Sequence, residues 1–433
     1  MIKTIKYITL ISTLFTTLTT FAQTTTSSPY SKFGLGDLSG SLLPQNKAMG
    51  GISVGLPKLG AYSTINPANP ASYSSIALTT FDLGANANFR QLNTASASEN
   101  NLDMSLSHIV FGIPINKKSA LSFGLLPYSE VGYQYKNSAT IAANTSTQVD
   151  YIYSGDGGLS KAYLGYGFSI SPNLSIGTNV SYLFGNLKQS RSAEFTQDAQ
   201  ALNSRQQTSS SINGLNIDYG VQYIIHAQKR SRVTIGYAGT IASKLNATNS
   251  TTSSVYRKDL TSGNESASLG SPYTFDDVSN KLSVPMTQTI GFTFEKTNKF
   301  LVGADVSYAQ WSNFQQGTVN PGLNDSYTIS TGGQFTPDAN AVSGYYKWVD
   351  YRFGLKYNKS YIHINNNNID QYALTFGLGL PLAANRLAFY KINFSTEIGK
   401  RGTLNDGLVR ENYVKFSLGF TVNDKWFIKP KLD

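Results

Sequence analysis

Apolar and polar residues alternate along much of this chain. From Ala162 to Ile170 every second residue is apolar or aromatic, whereas glycine, serine and tyrosine stand between them. The same alternation returns in 174–184, 215–225, 349–357 and 414–422. Because successive side chains of a β-strand point to opposite faces, each segment predicts a strand with one apolar and one polar wall.

The connections between these strands alternate in length as well. The predicted strands are 76–90, 102–115, 119–135, 160–171, 174–190, 211–227, 231–245, 284–296, 300–311, 325–335, 347–361, 370–382, 386–399 and 410–422. Long connections (91–101, 136–159, 191–210, 246–283, 312–324, 362–369 and 400–409) alternate with short ones, and 336–346 is the exception. Transmembrane barrels join strands by tight periplasmic turns and longer outer loops.

An even number of strands with both ends on the short-turn side predicts an all-β fold. The expected architecture is a closed, antiparallel transmembrane β-barrel of about 14 strands over 76–433, with both termini in the periplasm. Only closure satisfies every backbone amide in lipid. The long connections are rich in Ser, Thr and Asn, as in 247–254, and predict solvated surface loops.

The first 22 residues predict a cleavable signal peptide. Lys3 and Lys6 precede a short apolar stretch rich in threonine, and Ala22 is a small residue suited to cleavage. This stretch is too short to span hydrocarbon comfortably as a helix. Removing the two lysines lowers the formal charge from +10 to +8.

Composition supports an exported membrane protein. The 433 residues include no cysteine, which excludes a disulfide framework, and only 14% are charged. Soluble domains usually carry nearer ~25% charged residues. After export, a basic chain is expected to meet outer-membrane lipid and lipopolysaccharide rather than nucleic acid.

Residues 23–75 do not alternate and predict a separate N-terminal segment. They are rich in Gly, Pro, Ser and Ala and include Asn66-Pro67-Ala68-Asn69-Pro70. Asn-Pro pairs fix turns, because proline sets φ and restricts the residue before it. A rigid turn favours a plug folded into the wide lumen over a free linker.

Several short motifs resemble a known family. They are 28–38 (SPYSKFGLGDL), 48–51 (AMGG), 66–68 (NPA), 400–403 (KRGT), 411–413 (ENY) and 424–429 (DKWFIK). Together they look like the long-chain fatty-acid transporter family of outer-membrane barrels, in its Bacteroidota branch. The resemblance implies fourteen strands, an N-terminal hatch inside the barrel, and passage of hydrophobic molecules through the hatch or a lateral gap at a kinked third strand.

The third predicted strand contains a candidate for that kink. Pro127, Tyr128, Ser129, Glu130 and Gly132 follow one another there. Proline removes a ladder donor, so Pro127 is expected either to open the wall or to end the strand. A charged Glu130 at an opening would need water or a partner nearby.

The chain shows no enzyme motif. Three histidines fall on separate predicted elements, and HExxH, P-loop and GxSxG patterns are missing. We expect no catalytic residues, no cofactor and no metal. Aromatic residues near strand ends predict interfacial anchors, namely Tyr163, Tyr166, Tyr182, Trp311, Trp348 and Trp426.

Three functions remain open from sequence. The leading hypothesis is uptake of a hydrophobic small-molecule ligand of unknown identity. The second is a non-transporting subunit of a type IX secretion or barrel-assembly complex, with outer-membrane protein partners. The third is an open diffusion porin, which predicts steady conductance and a mobile N-terminus.

Overall fold

The structure is a computed structural model that describes residues 26–59, 63–140, 148–227, 230–382 and 388–425; for residues 276–277 it describes the backbone alone. The predicted signal peptide and the two predicted periplasmic termini lie outside the described residues. In the described parts, no helix is long and apolar enough to cross a membrane.

Fourteen long strands form the wall of the molecule. They are β1 (Thr79–Asn93), β2 (Ser98–Asn116), β3 (Ser119–Thr140), β4 (Gln148–Ser169), β5 (Leu174–Phe195), β6 (Asn203–Ala227), β7 (Ser231–Thr240 and Ser243–Tyr256), β8 (Tyr273–Val284 and Thr287–Lys296), β9 (Phe300–Ala309), β10 (Ser326–Phe335), β11 (Asp350–Ile364), β12 (Asn367–Pro381), β13 (Ala388–Arg401) and β14 (Arg410–Asp424).

Short elements lie between and before these strands. Two-residue strands occupy Asp37–Leu38 and Gln315–Gln316, and one α-helical turn spans Pro44–Lys47. Single 3-10 turns occupy Pro29–Lys32, Pro70–Ser75, Trp311–Asn313, Tyr345–Lys347 and Asn405–Gly407.

The wall closes on itself. Each strand pairs antiparallel with the next, and β14 returns to β1 with a ladder from Arg410 opposite Asn93 to Asp424 opposite Thr79. The predicted all-β barrel of 14 antiparallel strands is therefore confirmed. Closure pairs the backbone groups that an open sheet would leave unsatisfied in lipid.

Several surface loops are shorter in the structure than predicted from the sequence. At one end, the turn end, the connections 117–118, 170–173, 228–230 and 297–299 are short, as predicted, and 336–349 is the expected exception. At the other end, the loop end, strands continue into the predicted loops: 247–254 lies in β7. Outside lipid, a ladder satisfies the backbone without an apolar face, so polar strands extend there.

One predicted loop is in fact a tight hairpin turn. Instead of a loop over 362–369, β11 and β12 are joined at Asn365 and Asn366, whose φ angles are 48° and 63°. Asparagine tolerates positive φ, which the preferred two-residue hairpin turns require.

The two faces of the wall differ in polarity. Large apolar side chains are exposed on the outer face, including Leu164, Val180, Ile290, Phe353, Leu374 and Leu418. Polar side chains at alternate positions are buried on the inner face, including Asn179, Asp218, Thr293, Asp305 and Thr375. An apolar outside and a polar lumen are the pattern of a transmembrane barrel.

The prediction of interfacial aromatics is wrong for two residues. Tyr166 and Tyr182 are exposed on the outer face, but Tyr163 is buried and hydrogen-bonds Ser122 in the lumen (2.9 Å). Tyr163 lies two residues after Lys161, so both point to the same face, and the alternation of the sequence assigns that polar face to the lumen. Trp311 is also buried, because the connection after β9 folds back into the barrel mouth.

The wall is taller on one side. β3 to β6 contain 22 to 25 residues each, whereas β9 and β10 contain 10. At ~3.3 Å per residue, the difference amounts to roughly 40 Å of strand. The extra length stands at the loop end, and we call the loop-end halves of β3 to β8 the tall sheet (residues 130–140, 148–158, 186–195, 203–213, 243–256 and 273–284).

Candidate functional site: the inner segment and an open seam

Residues 26–59 and 63–76 before the wall, which we call the inner segment, contact every strand of the barrel. Its contacts are Lys47 with β1 and β2, Ser31 with β3, Pro70 with β4, Pro67 with β5, Asn69 with β6, Val54 with β7, Gly55 with β8, Ser53 with β9, Met49 with β10, Gly36 with β11, Gly50 with β12, Asp37 with β13 and Ser63 with β14. A segment that touches all members of a closed ring lies inside it.

The predicted Asn-Pro turn is buried in the lumen near the turn end. Asn66 Nδ2 donates to Ser53 O (2.8 Å), and Asn69 Nδ2 donates to Val54 O (2.7 Å). Asn69 Oδ1 also accepts from the N–H of Ala71 (3.1 Å) and caps the 3-10 turn that Pro70 begins. The turn therefore ties residues 53–54 to the entry of β1.

The same turn is joined to the wall. Asn179 on β5 donates to Pro67 O (3.2 Å), and Gly167, Gly177 and Gly220 of three neighbouring strands lie directly against Asn69 and Pro70. Any Cβ at these glycines would overlap the turn. The close approach explains glycine at the three wall positions.

Residues 48–55 of the inner segment pack backbone against backbone. Met49, Gly50 and Val54 face Gly332, Gly354 and Gly236 on the wall, and a Cβ on any of these wall glycines would overlap them. Gly50 itself has φ 71°, which favours glycine. No side chain separates the segment from the wall here, so the backbone of this stretch is in direct contact with the backbone of the wall.

Two ionisable side chains hold the middle of the inner segment. Asp305 on β9 accepts from the N–H groups of Ser53 (2.6 Å) and Val54 (3.0 Å). Lys47 Nζ donates to Asn86 on β1 (3.0 Å) and Ser107 on β2 (3.2 Å). Burial, with other lysines nearby, lowers the pKa of Lys47 to about 7.

The ladder between β2 and β3 stops halfway. It runs from Asn116 opposite Ser119 to Ile109 opposite Leu125. Beyond that, residues 98–108 of β2 pair with β1 alone, and residues 126–140 of β3 pair with β4 but not with β2. We call this gap the open seam.

The open seam begins within the apolar belt. The outward residues of β2 along it are Leu102, Met104 and Leu106, all exposed. Irregular backbone at membrane depth is tolerated where it borders protein or water. The open seam therefore lies against the inner segment and the polar lumen behind it.

The sequence-predicted kink residues lie together on β3 at the open seam. The β3–β4 register shifts between Pro127 and Ser129, which leaves Tyr128 as a bulged residue. Pairing with β2 has ended two residues before Pro127. Proline cannot donate to a ladder, and a bulge bends the strand that carries it.

The inner segment replaces β2 as the neighbour of β3 beyond the bulge. In the backbone ladder, Glu130 lies opposite Asp37 and Ser129 lies opposite Leu38. Gly132, two residues on, donates its N–H to Ser31 Oγ (3.0 Å). Ser105 of β2 lies near the Glu130 carboxylate across the seam.

A charged cluster holds the inner segment beside the seam. Asp37 pairs with Arg401 of β13 (2.6 Å) and Arg90 of β1 (3.7 Å), and Arg90 also approaches Glu411 of β14 (3.6 Å). Ser28 donates to Glu411 (2.5 Å). Burial alone would raise the pKa of Asp37, but Arg401 and Arg90 outweigh it and lower that pKa.

Sequence reasoning missed this cluster. Its members come from β1, β13, β14 and the inner segment, which are far apart in the chain. Their one sequence signal is a charge at an inward position of an alternating strand.

Apolar side chains fill the loop-end lumen on the side of the tall sheet, and we call them the mouth cluster. Trp311 stacks on Tyr361 with ring centroids 4.2 Å apart, and both rings touch Gly34 of the inner segment. The Tyr361 hydroxyl donates to Gly36 O (2.9 Å). Its wall residues include Leu159, Leu183, Leu187, Ile212, Leu245, Ala247 and Leu282. It is a large apolar site whose space is taken by side chains.

A buried polar line on β1 and β2 resembles a catalytic relay in residue types. His108 contacts Asp82 (2.7 Å) and Ser107 (3.1 Å), and Asp82 accepts from Thr421 (2.7 Å). His108 and Asp82 are fully buried, and the His108 ring lies against Gly84. The line therefore joins β14, β1 and β2, with no room for a substrate at the ring. Within the described ranges, no group of side chains is arranged to hold a metal ion.

The fold and the inner segment define a class of protein: fourteen-stranded antiparallel barrels with an N-terminal segment inside the lumen. A family model described as BamG matches residues 1–433, and the chain belongs to the BamG family. No curated protein gives a significant sequence match.

Solved structures share this fold at low sequence identity. The toluene transporter TodX of P. putida gives a TM-score of 0.58 at 13% identity, over 91% of this chain and 100% of that one. A FadL homologue of Pseudomonas aeruginosa gives 0.57 at 12% identity, over 90% and 99%. The CymD monoaromatic hydrocarbon channel gives 0.53 at 14% identity, over 91% and 99%.

The resemblance to the fatty-acid transporter family holds at the level of the fold. The FadL homologue shares the barrel architecture, whereas the family model that matches has a different name. Membership of a Bacteroidota branch stays a prediction.

Proposed function

We propose that this barrel passes hydrophobic small molecules across the outer membrane, by way of the mouth cluster and the open seam. In this proposal residues 1–22 are a signal peptide, 23–75 form a hatch with the Asn66–Pro70 turn as its fixed base, and 76–433 form the barrel. The loop end faces the cell exterior, and both termini are periplasmic.

One observation carries the proposal: at the open seam β3 pairs with the inner segment instead of β2. Movement of residues 26–38 away from β3 would join the lumen to the apolar belt without breaking any ladder between wall strands. An apolar molecule leaving sideways enters lipid directly and avoids crossing water. The names of TodX and CymD describe toluene and monoaromatic hydrocarbon transport by barrels of the same fold.

A cross-link across the open seam tests this route. The chain has no cysteine, so Ser105→Cys with Glu130→Cys can be joined selectively by a short bismaleimide. These residues lie near each other across the seam. We expect cross-linked cells to take up toluene and long-chain fatty acids no faster than cells without the protein.

The matched control is a cross-link where the wall is continuous. Gln91 and Asn412 lie directly opposite each other on β1 and β14. Cross-linking Gln91→Cys to Asn412→Cys should leave uptake unchanged. Equal uptake in both cross-linked proteins, across several hydrophobic probes, would rule the seam out as the route.

A second candidate is a non-transporting subunit of a barrel-assembly complex, which the family designation favours. The lipid-facing wall from β10 to β2 also carries a concave groove of about 1000 Å³, lined by Phe89, Leu355, Leu374, Ile398 and Val414 among others. An apolar concavity of this size suits a protein partner within the membrane.

Purification in mild detergent separates the two candidates. A stoichiometric complex with other outer-membrane proteins supports the assembly subunit. A lone barrel that retains hydrophobic ligand supports transport.

A further inference from the structure

The tall sheet presents ordered rows of side chains at the loop end, beyond the mouth cluster. Residues directly opposite each other across its strands form three rows: Tyr133, Gly155, Gln189, Thr208, Thr251 and Phe275; then Tyr135, Tyr153, Arg191, Gln206, Ser253 and Tyr273; then Asn137, Tyr151, Ala193, Ser204 and Val255.

These rows lie on the inner face of the tall sheet. Leu187 and Ala247 belong to the mouth cluster. Gln189 lies two residues after Leu187 on β5, and Thr251 lies four residues after Ala247 on β7, so they point to the same face as these cluster members. The rows therefore continue the lumen wall outward. We call them the row face.

The row face is aromatic at its two sides. Tyr135 and Tyr153 are stacked with ring centroids 5.0 Å apart, and Tyr273 and Phe275 meet edge to face at 4.5 Å. From Tyr135 on β3 to Tyr273 on β8 lie five strand spacings, or roughly 24 Å at ~4.8 Å each. An extended ligand, rather than a single small molecule, matches that distance.

The middle of the row face offers hydrogen-bonding groups. Gln189, Gln206, Thr208, Thr251 and Ser253 provide amides and hydroxyls, which both donate and accept. Gln189 and Gln206 are exposed to solvent.

Positive charge is present on the row face without negative charge among its members. Arg191 is exposed in the centre, and Lys32 of the inner segment lies over the Tyr135 ring (5.1 Å). None of the residues in the three rows, all of which the structure describes, is acidic.

Lipid cannot cover these aromatic rings. The opposite face of the tall sheet at the same height carries Lys188, Gln207 and Thr252, all polar, so the apolar belt has ended below it. Yet Tyr273 is 64% exposed and Phe275 53% exposed. Large aromatic side chains outside both lipid and a core mark a binding surface.

We propose that the row face binds an acidic oligosaccharide of the cell surface. Aromatic rings stack on the apolar faces of sugar rings, and amide and hydroxyl side chains satisfy sugar hydroxyls. Arg191 and Lys32 pair with the acidic groups. The inference rests on the proposed orientation with the loop end outside the cell, but not on transport.

Calorimetry on the purified full chain in detergent tests the proposal. The probe is phosphorylated core oligosaccharide released from lipopolysaccharide. We expect saturable binding that weakens about tenfold in Arg191→Gln, because a charged hydrogen bond is lost, and also weakens in Tyr151→Ala. Dephosphorylated oligosaccharide should bind the native protein more weakly than the phosphorylated form does. It should bind the native protein and Arg191→Gln equally well.

The controls lie on the same strands but on the other face. Lys188→Gln and Thr252→Ala should bind as the native protein does. No binding by the native protein, or equal losses in these controls, would overturn the proposal.

Tighter binding of an extended peptide than of the oligosaccharide, unaffected by Tyr151→Ala, would also overturn it. That result would point to strand addition along residues 273–280 of β8, which among the described residues pair with β7 alone. Binding and seam-dependent uptake use different residues, so either proposal can fail alone.

Discussion

The β1–β2 hairpin is bordered by two seams that differ sharply. On one side, the ladder between β14 and β1 runs unbroken from Arg410 opposite Asn93 to Asp424 opposite Thr79. On the other side, the ladder between β2 and β3 ends at Ile109 opposite Leu125. Both seams carry apolar residues on their outward positions, so hydrophobicity does not determine where the wall opens.

The difference lies in what each seam can use as a neighbour. Beyond Pro127 and the Tyr128 bulge, β3 pairs with Asp37–Leu38 of the inner segment. Among the described residues, no comparable segment competes for β14 or β1 along the closing ladder. A barrel can therefore open at one seam while every other backbone edge in lipid stays paired, provided that a chain segment inside supplies the missing partner.

The inner segment shows the same contrast along its own length. Residues 48–55 rest on wall glycines with no side chain between. Residues 26–38 are held by side chains, chiefly Asp37, Ser28 and Ser31, and by the short backbone pairing of Asp37–Leu38 with β3. The part beside the open seam is thus the part that takes the place of a wall strand.

Hydrogen exchange should show the largest difference between the seams. In an antiparallel strand the N–H groups of alternate residues point to the same side. Gln134, Lys136 and Ser138 therefore point, like Gly132, to the side from which β2 has departed. We expect these amides to exchange at least ~1000-fold faster than those of β14, equivalent to about 4 kcal/mol of protection. Equal protection would mean that β2 and β3 pair throughout in solution.

Removing the charge of Asp37 should have the next largest effect. Asp37→Asn leaves Arg401 and Arg90 without their shared partner inside the barrel. Breaking a buried ion pair costs ~3–5 kcal/mol, and we expect the lower end because Asp37 stays partly exposed. The measurement is the urea midpoint of the refolded barrel.

The control for Asp37 is an exposed ion pair at the loop end. Glu265→Gln removes the partner of Arg205, whose side chain is 31% exposed. Exposed pairs contribute ~0.2–1 kcal/mol. Similar losses in the two variants would contradict a special role for the charged cluster.

The sequence predicts the wall better than the seam. Apolar alternation locates all fourteen strands, since lipid requires one apolar face on each. It does not show how far strands extend beyond lipid, where stretches such as 247–254 need no apolar residue to stay in a ladder. For the same reason it does not reveal the tall sheet or its row face.

The seam depends on pairing between distant parts of the chain. Pro127 marks where a ladder can end, but nothing local identifies Asp37–Leu38 as the replacement strand. The partners Arg90, Arg401 and Glu411 are likewise ordinary inward charges until closure brings them together.

A methyl group at Gly132 should loosen the inner segment at the open seam. In Gly132→Ala the new Cβ would overlap the carbonyl oxygen of Thr26. Overpacking of this kind costs ~1–3 kcal/mol, and here the inner segment is the part that can move. We expect faster tryptic cleavage after Lys32 in the folded barrel. Gly40→Ala, which has room for a Cβ, should be cleaved at the native rate; equal cleavage of both variants would show that Gly132 does not hold this segment.

A pH dependence of stability is also expected from Lys47, which bridges β1 and β2 beside the open seam. Its pKa is lowered from 10.5 in the unfolded chain to about 7 in the folded barrel. Between these values the unfolded state binds more protons, so stability should rise with pH from 7 to 10.5 and stay level below 7. The check is the urea midpoint across this range.

Lys47→Met isolates this contribution, because it keeps the unbranched side chain and removes the proton. The variant should be more stable than the native protein at pH 7, and its stability should rise less towards pH 10. An equal rise in both proteins would assign the pH dependence to other groups. It would then follow that Lys47 stays charged in the lumen, with water reaching it from the open seam.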